Sequence, residues 1–441
     1  MPALSSSPIV AVLDQPDTPL DAVVAELGTE QVALSLVDAL AAVPDPRKAR
    51  GVRHGVLGVL LLGACAVLAG ARSFVAIAEY AHDVGAAILD RLGVGALTPH
   101  ESTIRRVLQA VDAGAVEAAL GSWVSAQLAT RVPEPGTPAR ERRQVLALDG
   151  KTVRGARRAD GSQAHLVSVL DQASGAVLAQ TQVATKLDSG KPDSKADSKA
   201  DSKADASDEA DPDDSGGAAA SELAAVPALL DGLDLQGVLV TADALHTQRS
   251  HARYLHERGG HYLMTVKANQ PTLLRRLRAL PWTSIGVAAR ERARGHGRVE
   301  TRTISVVSLH PCPDGDGEFF PHAAQAIKLV RRRRPLRPGG KWRTVTVYAI
   351  TSLTGREADP VLLARWIRGH WGIENRLHWV RDVTYDEDRS TVRTGNGPQV
   401  MAALRNLAIT ALRLSGITNI AAGLRHHARD TIRPLTTFKI M

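Results

Sequence analysis

Residues 144–150 read QVLALDG. A short apolar run bounded by turn and charged residues predicts a buried strand that ends at Asp149. Residues 237–244, GVLVTADA, repeat the pattern and end at Asp243. Ligands collect at the carboxyl ends of neighbouring strands in an open sheet. Two carboxylates placed in this way can therefore share a cation.

The segments around these two strands alternate between strand and helix patterns. Residues 164–185 predict a hairpin, residues 222–233 a helix, and residues 261–269 another strand. Three further strand-like runs follow, at 299–308, 325–333 and 343–352. A hairpin followed by strand–helix–strand units indicates an α/β fold with a mixed sheet and flanking helices.

Helical patterns dominate the chain before residue 131. Residues 55–71, GVLGVLLLGACAVLAGA, are at the short edge for a membrane span of ~20 residues, so a buried helix is expected. Ser102 predicts the N-cap of a helix whose first turn carries Arg105 and Arg106. Such a helix suits a DNA groove, and it equally suits an ordinary helical hairpin. Proline-rich residues 131–143 predict a linker.

Charge is unevenly distributed along the sequence. Lys and Arg total 54 against 46 Asp and Glu, a net charge of +8. Residues 188–214 contain ten acids, four lysines and three DSKA repeats, so the remainder carries +14. This acidic segment lacks aromatic and β-branched residues, which predicts a disordered insertion in a loop. The basic remainder favours nucleic acid as a partner. The run DEDRS at 386–390 predicts a solvated loop.

Several function classes are excluded by composition and motifs. Two cysteines rule out a disulfide framework and a four-cysteine zinc site. The sequence contains no Walker A, GxSxG or GxGxxG motif, which argues against common NTPases, hydrolases and dinucleotide enzymes. No signal peptide is expected, because the start lacks a basic region followed by an apolar one.

Glu374 is the candidate third acid, in the stretch RWIRGHWGIENRLHWVRD (365–382). Asp359 as N-cap and Pro360 as the first helical residue predict the start of a helix that runs from about Val361 through Trp379. Four polar residues at spacings of 4, 4 and 3 are expected to share one face of this helix: His370, Glu374, His378 and Arg381. Such a face beside a carboxylate pair suits a phosphodiester, and hard oxygen ligands select Mg²⁺ or Mn²⁺. The residues alone leave open an ion-pairing role for Glu374 with a nearby arginine. They also leave open a zinc site formed by Glu374 with the two histidines.

In combination, these segments resemble the transposases of bacterial insertion sequences of the ISAs-one family. Those proteins are IS-four-like DDE enzymes and include the H-repeat-associated proteins. The resemblance covers nearly the whole chain from about residue 30, in family order. The matching segments include PDPRKARGVRHG (44–55), STIRRVL (102–108), LALDGKTVRGAR (146–157), VTADALHTQR (240–249), YLMTVKANQP (262–271) and RGHWGIENRLHWVRDVTYDED (368–388).

The resemblance implies an RNase H-like catalytic domain in which Asp149, Asp243 and Glu374 are the three acids. It also implies a domain organisation for the chain. The parts are a loose tail (1–30), a helical N-terminal domain for DNA ends (31–130), the linker (131–143), the catalytic domain (144–394), and basic C-terminal helices (395–441). The catalytic domain would contain the disordered acidic insertion (187–219), which is peculiar to this chain, and a β-rich insertion (about 282–345).

The resemblance further implies a reaction and its partners. Two Mg²⁺ ions, replaceable by Mn²⁺, would support hydrolysis at the element ends, and the freed 3′-OH would attack target DNA. The expected partners are double-stranded DNA, as terminal inverted repeats and target, and a second copy in a homodimer on DNA. A membrane is not expected, and the location would be cytoplasmic and nucleoid-associated in a bacterium. The expected DNA contacts are Lys151, Arg154, Lys267, Asn269, Gln270, His370, His378, Arg381, Arg105 and Arg106.

The chain departs from the signature of the wider IS-four-like group, Tyr-x₂-Arg-x₃-Glu-x₆-Lys. The corresponding positions hold Ile367, His370, Glu374 and Arg381. The glutamate is kept, whereas the tyrosine is absent and both bases are substituted. Two alternatives stand beside the transposase hypothesis. One is a catalytically silent or domesticated transposase that acts as a DNA-binding protein, and the other is a metal-dependent nuclease that never joins strands.

Overall fold

The structure is a computed structural model, and it describes most of the chain beyond the first 33 residues. The described residues are 34–48, 50, 52–95, 97–131, 136, 138–157, 161–183, 216–295, 297–309, 319–337 and 339–440. The tail predicted at 1–30 lies outside them, as does most of the predicted acidic insertion.

Helices precede the first strand. They are α1 (Leu36–Ala41), α2 (Val56–Leu68), α3 (Phe74–Asp83), α4 (Ala86–Arg91), α5 (Glu101–Ala110) and α6 (Ala113–Ala129). Helix α2 is the apolar run identified in the sequence, and all of its residues except Leu57 are buried, as expected. Among the described helices, none has both the length and the apolar character needed to cross a bilayer.

Helix α5 begins two residues earlier than predicted, and its N-cap is His100 rather than Ser102. The ring Nδ1 of His100 accepts a hydrogen bond from the backbone N–H of Ser102 at 3.2 Å. Arg105 and Arg106 are exposed on the first turns. Arg105 pairs with Glu101, and Arg106 Nε donates to the carbonyl of Ser102. The two candidate DNA-binding side chains therefore face solvent at the start of a short helix.

The described strands form one mixed sheet. They are β1 (Val145–Arg157), β2 (Gln163–Asp171), β3 (Val177–Val183), β4 (Leu239–Ala242), β5 (His261–Val266), β6 (Ala289–Gly295), β7 (Arg298–Ser308), β8 (Gln325–Pro335) and β9 (Arg343–Thr351). Their order in the sheet is β3-β2-β1-β4-β5-β9-β8-β7-β6. Strands β1, β4 and β5 are parallel, and every other neighbouring pair is antiparallel. The predicted α/β class with a mixed sheet is confirmed.

Strand β1 differs from its predicted end. It continues past Asp149 to Arg157, because the antiparallel partner β2 keeps pairing with it as far as Gln163 opposite Arg157. The parallel partner β4 stops at Ala242, which lies opposite Leu148. The strand pattern in the sequence located the shorter parallel pairing and missed the longer antiparallel one.

The remaining helices flank the sheet. They are α7 (Gly216–Asp231), α8 (Arg249–Glu257), α9 (Pro271–Ala279), α10 (Trp282–Ile285), α11 (Pro360–His370), α12 (Gly397–Leu414), α13 (Ile420–His427) and α14 (Ile432–Phe438). Asp359 caps α11 with its side chain, and Pro360 takes the first helical position, as predicted. Two π-helical turns, Glu374–His378 and Val380–Thr384, continue the direction of α11.

One hydrophobic core joins the N-terminal helices to the sheet. Helix α12 is buried along most of its length and shares that core with α2, α6 and β3. Helix α6 approaches β3 closely at Gly121, where a Cβ would overlap the carbonyl oxygen of Leu178. The helical region thus forms a rigid support against β3 at one edge of the sheet.

Candidate active site

Asp149 and Asp243 lie side by side, directly after the last paired residues of the parallel strands β1 and β4. Asp149 is the residue after Leu148 of β1, and Asp243 is the residue after Ala242 of β4; Leu148 and Ala242 are paired in the sheet. Each carboxylate also accepts a local backbone hydrogen bond. Asp149 Oδ1 accepts from Gly150 N at 3.0 Å, and Asp243 Oδ1 accepts from Leu245 N at 2.8 Å. These bonds orient both side chains at the end of the sheet.

Glu374 reaches the same end of the sheet from the helical segment after α11. Its Oε2 accepts a hydrogen bond from Nδ1 of His378 at 3.0 Å, and the same nitrogen is 3.7 Å from Oδ2 of Asp149. Asp149, Glu374 and His378 each offer a ligand atom, and these atoms lie within 4.8 Å of one another. The Glu374 side chain is 52% exposed, whereas His378 is 3% exposed. The cluster is therefore held from inside and open toward solvent.

The carboxylates of the cluster have opposite pKa shifts. Burial raises the pKa of Asp149 to about 6; the charge of Asp243 adds to this rise, and His378 opposes it. The hydrogen bond from His378 lowers the pKa of Glu374. Asp149 thus carries an electrostatic cost that a cation at this position would remove.

His370 lies apart from the cluster, beneath Asp243. Its Nδ1 is 3.1 Å from the hydroxyl of Thr241 in β4. Burial lowers the pKa of His370 to about 4, although the nearby Asp243 charge opposes this shift. The ring is therefore neutral near pH 7. The zinc arrangement left open by the sequence needs His370, Glu374 and His378 together, and the structure brings only the latter two to the carboxylate cluster.

Arg381 corrects the prediction that four polar residues share one helix face. It is fully buried and pairs with Glu387 at 2.8 Å, and its Nη1 donates to Gln180 Oε1 at 2.9 Å. The reason is the π-helical geometry, in which the N–H of Trp379 bonds to the carbonyl of Glu374, five residues earlier. A π-helical turn holds more residues than an α-turn, so the 4, 4, 3 spacing no longer keeps Arg381 on the face of Glu374.

The run DEDRS is also not the solvated loop that was predicted. Glu387 is 0% exposed and lies between Arg381 and Arg405. Asp388 lies 3.8 Å from the ammonium of Lys151. The acids of this run therefore attach the segment after the helix to the sheet and to α12.

The basic and polar residues expected at DNA have different environments. Lys151 is 9% exposed, and its ammonium is 2.7 Å from Asp382, so it ties β1 to the helical segment that carries Glu374. Arg154 and Lys267 are exposed. Asn269 Nδ2 donates to the carbonyl of Ala244 at 2.6 Å and thereby anchors the loop after Asp243. A weaker contact of 3.4 Å joins Gln270 to Gln248 on the same side of the loop.

Comparison with known proteins identifies the family. The family model described as "Transposase DDE domain" matches residues 216–411, and the model described as "DDE_Tnp_1-associated" matches residues 37–124. The chain therefore contains a transposase DDE domain. The matched DDE range contains Asp243 and Glu374, whereas Asp149 precedes it.

Relatives of this transposase are found along most of its length. "Putative transposase YncI" of Escherichia coli O157:H7 is 26% identical over 86% of this chain and 87% of its own. "H repeat-associated putative transposase YhhI" of Escherichia coli K12 is 27% identical over 89% of this chain and 94% of its own. The resemblance to DDE transposases, with H-repeat-associated proteins among the relatives, is thus confirmed.

A solved structure also aligns with the transposase. It is a chain of the "piggyBac transposase synaptic complex with hairpin DNA", with 12% identity and a TM-score of 0.36 over 86% of this chain and 71% of that chain. A likeness at this TM-score does not decide the fold, which is described by the strand order above.

The cluster in the transposase fits a divalent cation. Two carboxylates supply hard oxygen ligands, the type that Mg²⁺ and Mn²⁺ prefer. The third member, His378, is buried, and its Nδ1 faces both carboxylates. A bound cation would also offset the burial cost that raises the pKa of Asp149. Asp243, on the adjacent strand, is placed to complete such a site.

Three residues that the sequence patterns did not indicate lie close behind Asp149 and Asp243: Glu222, His165 and His246. Glu222 is buried in α7 and lies within hydrogen-bond distance of both histidines. A signal for it was available in the helix pattern. Glu222 has the same helical periodicity as the buried Val226 and Leu230, a pattern that places an acid on the buried face of the helix.

Proposed function

We propose that this transposase cuts and joins DNA at the ends of an insertion sequence, with Asp149, Asp243 and Glu374 as a DDE triad that binds Mg²⁺. Mn²⁺ is expected to substitute. The observation that carries the proposal is the approach of Glu374 to Asp149 within the cluster, with Asp243 at the matching position of the adjacent strand. Local sequence patterns cannot produce this convergence, because the three acids come from distant parts of the chain.

The sheet supports the further proposal that the catalytic domain is RNase H-like. Three antiparallel strands, β1 to β3, are followed by β4 and β5, which add to β1 in parallel. The order β3-β2-β1-β4-β5 places the ends of β1 and β4 at the centre of this part of the sheet. Strands β9 to β6 continue the sheet beyond β5, in the region where a β-rich insertion was expected.

The residues of the site have separate tasks in the proposed reaction. Divalent cations bound there would lower the pKa of the attacking water and neutralise the charge on the leaving oxygen. His378 orients the carboxylates of Glu374 and Asp149, and the Lys151–Asp382 ion pair fixes the helical segment against β1. Glu374 is exposed and therefore lies where the DNA backbone must approach.

The proposed reaction has two displacement steps. In the first, water oxygen bonds to phosphorus at the element end, the bond from phosphorus to the 3′-oxygen breaks, and the leaving 3′-oxygen takes up the proton that the water loses, which gives the 3′-hydroxyl. In the second, the freed 3′-hydroxyl bonds to a target phosphorus in line with the leaving 3′-oxygen of the target strand. No covalent bond to the protein forms, so the site contributes positioning and charge stabilisation.

An arginine-rich face on strands β6 and β8 supports DNA as the partner. Four exposed side chains lie on the same side of these strands, which we call the arginine face: Arg292, Arg294, Arg332 and Arg334. The exposed ring of Trp342 lies 5.2 Å from the guanidinium of Arg332. Glu291 of β6 and Glu300 of the intervening strand β7 have the opposite register parity and lie on the other side of the sheet. The face is therefore strongly positive and suits a phosphodiester backbone.

Exposed groups near the acids extend the proposed DNA contacts. Trp371 and Trp379 flank Glu374 in the helical segment and are 62% and 55% exposed. Arg154 lies on β1 and Lys267 directly follows β5, and both are exposed, as are Arg105 and Arg106 in the helical region. Because transposition joins two ends, a homodimer on DNA is proposed, in a cytoplasmic, nucleoid-associated location.

Cleavage of DNA from the native flanks tests the proposal. Purified full-length protein is incubated with a plasmid carrying those flanks, in Mg²⁺, Mn²⁺ or EDTA. Wild type is compared with Asp149→Asn, Asp243→Asn and Glu374→Gln. Glu117→Gln is a matched control, because burial raises the pKa of Glu117 to about 8 and the substitution replaces a neutral acid. Metal-dependent cleavage at the ends that only the three site variants lose would support the DDE triad.

The other outcomes separate the alternatives. Specific binding of the ends without cleavage by any protein would favour a silent or domesticated transposase. Metal-dependent cleavage without joined products would favour a nuclease, so strand transfer is measured on the same samples. Cleavage that survives all three substitutions would sink the proposed site.

A further inference from the structure

A second polar cluster lies behind the aspartates and takes no part in the chemistry proposed above. Glu222 of α7 is 6% exposed, and both of its carboxylate oxygens are engaged. His165 Nε2, on β2, donates to Oε2 at 2.8 Å. His246 Nε2, in the loop after β4, donates to Oε1 at 3.0 Å. One carboxylate thus connects β2 to the loop that begins with Asp243.

The same carboxylate packs against β1 beside Asp149. At Gly150, the residue after Asp149, a Cβ would overlap the carboxylate of Glu222 and the ring of His165. His165 is fixed from its other side, because its Nδ1 is 2.9 Å from the hydroxyl of Thr152 in β1. Glycine at position 150 is therefore required for Glu222 to reach the strand that carries Asp149.

The loop after Asp243 is anchored on two sides. Toward β5, the hydroxyl of Thr247 donates to the carbonyl of Thr265 at 2.5 Å, and Asn269 Nδ2 donates to the carbonyl of Ala244. Toward α7, the anchor is the bond from His246 to Glu222. His246 is 1% exposed, so water cannot easily replace this bond. Loss of the Glu222 carboxylate would remove the anchor toward α7 and leave the loop held only from the side of β5.

The cluster is built to keep Glu222 charged. Burial acts to raise the pKa of Glu222, and the hydrogen bonds from His165 and His246 outweigh it and lower the pKa to about 2. His251 stacks against His246 with ring centroids 5.9 Å apart and restricts its orientation. Hydrogen bonds to an ionised acceptor are stronger than neutral ones, so this bridge is rigid.

We propose that Glu222 is a positioning residue of the active site, which holds the Asp243 loop against β1 through His246 and His165 and so sets Asp243 relative to Asp149. The inference rests on the proposed function, because it concerns the geometry of the acids that bind the cations. Groups that orient metal ligands through hydrogen bonds usually change metal affinity or activity about 10–100-fold when substituted. Glu222 is expected to act in this range without touching DNA or metal.

Binding of Mn²⁺ to the full-length protein tests the proposal without relying on activity. Free Mn²⁺ is measured by electron paramagnetic resonance during titration of wild type, Glu222→Gln, Asp149→Asn and the control Glu117→Gln. Glu222→Gln is expected to weaken Mn²⁺ binding by about 10-fold or more, and Glu117→Gln by less than about twofold. The Mg²⁺ concentration for half-maximal cleavage should rise in parallel, while the affinity for DNA ends stays unchanged.

A second pair of variants covers the case in which Glu222→Gln does not fold. His246→Leu removes the donor to Glu222 and is expected to weaken Mn²⁺ binding. His246→Gln retains an N–H donor at a similar reach and is expected to restore most of it. A residue that only stabilises the core would lower the unfolding temperature in both histidine variants without this difference in Mn²⁺ affinity.

The failures of the two proposals are distinguishable. If Asp149→Asn loses Mn²⁺ binding while Glu222→Gln and His246→Leu retain wild-type affinity, the positioning role is wrong and the metal site stands. If wild type itself binds no Mn²⁺, the metal site is wrong, and with it the role assigned to Glu222.

Discussion

Glu374 lies in the helical segment after α11, and Glu387 lies just beyond the end of that segment. The environments of their two carboxylates are opposite. Glu374 is 52% exposed, and its hydrogen-bond partner is a histidine, His378. Glu387 is 0% exposed and contacts two arginines, Arg381 and Arg405, each at 2.8 Å. The first carboxylate faces the end of the sheet beside Asp149, and the second is enclosed by protein on every side.

The difference shows how this fold separates structural charge from functional charge. Burial acts to raise the pKa of Glu387, and the charges of Arg381 and Arg405 outweigh it and lower the pKa. At Asp149 burial prevails, and the pKa rises to about 6. The protein supplies fixed cations for Glu387. It leaves the Asp149 cluster short of positive charge, which is the condition for recruiting a mobile cation.

The largest expected effect comes from removing a carboxylate charge from the cluster of Asp149, Glu374 and His378. Asp149→Asn or Glu374→Gln should reduce end cleavage by at least about 10³-fold, the scale of losing a group that stabilises transition-state charge. The unfolding free energy in EDTA should not fall, because neither carboxylate is paired with a fixed cation. Cleavage assays and urea unfolding of the same preparations measure both quantities. A large loss of stability in either variant would show that these carboxylates stabilise the fold as Glu387 does, and would contradict the comparison.

Substitution of Glu387, which lies between Arg381 and Arg405, should produce the reverse pattern, in which stability falls and the cleavage activity of the folded protein is retained. Glu387→Gln leaves Arg381 and Arg405 buried without their anion, and breaking a buried pair typically costs about 3–5 kcal/mol. Urea unfolding should show this loss. Any protein that remains folded at low temperature should retain cleavage in proportion to its folded fraction. Unchanged stability would mean that water or Gln180 compensates the arginines.

The pH dependence of stability sharpens the comparison further. The pKa of Asp149 rises from 3.8 in the unfolded chain to about 6 in the folded protein. Between these values the folded state binds more protons, so raising the pH lowers stability, and the loss is complete above pH 6. One pKa unit corresponds to 1.36 kcal/mol. Because the Asp149 side chain is partly exposed and solvent screens its charge, we expect the free energy of unfolding to fall by about 2 kcal/mol over this pH range.

Urea unfolding of wild type and Asp149→Asn in EDTA, at pH 5 to 8, measures this difference. The asparagine variant should be the more stable at pH 7 and approach wild type as the pH falls. Mg²⁺ should remove the difference by stabilising wild type alone. A difference that does not vary with pH would show that Asp149 keeps an ordinary pKa.

The smallest effect concerns arginines in an open environment, in contrast to the buried Arg381 and Arg405. Arg332→Ala or Arg334→Ala on the arginine face should weaken DNA binding several-fold and reduce the salt slope of log K by about 1 each, uniformly across sequences. The unfolding free energy should change by less than about 0.5 kcal/mol, as for exposed sites generally. Fluorescence anisotropy at several salt concentrations measures the slope. An unchanged slope would show that DNA does not reach this face.

Local sequence patterns were sufficient for much of the fold. The apolar runs predicted β4 and β5, and the buried helix α2 follows from its uniformly apolar composition. The Asp359–Pro360 pair predicted the start of α11. These features depend on residues close in sequence, so periodicity and capping chemistry reveal them. Strand β6 was missed, since its alternating arginines carry no apolar signal.

The sequence by itself determined which acids follow the parallel pairing of β1 with β4, and it singled out Glu374 as an acid in the middle of a helix. Tertiary structure alone decided which partner each charged side chain contacts. The π-helical turns directed Arg381 inward to Glu387, Lys151 found Asp382, and Glu222 was placed behind Gly150. The physical reason is that electrostatic partners are chosen by distance in space. Pairings such as Lys151 with Asp382 join residues far apart in the chain, and local periodicity contains no information about them.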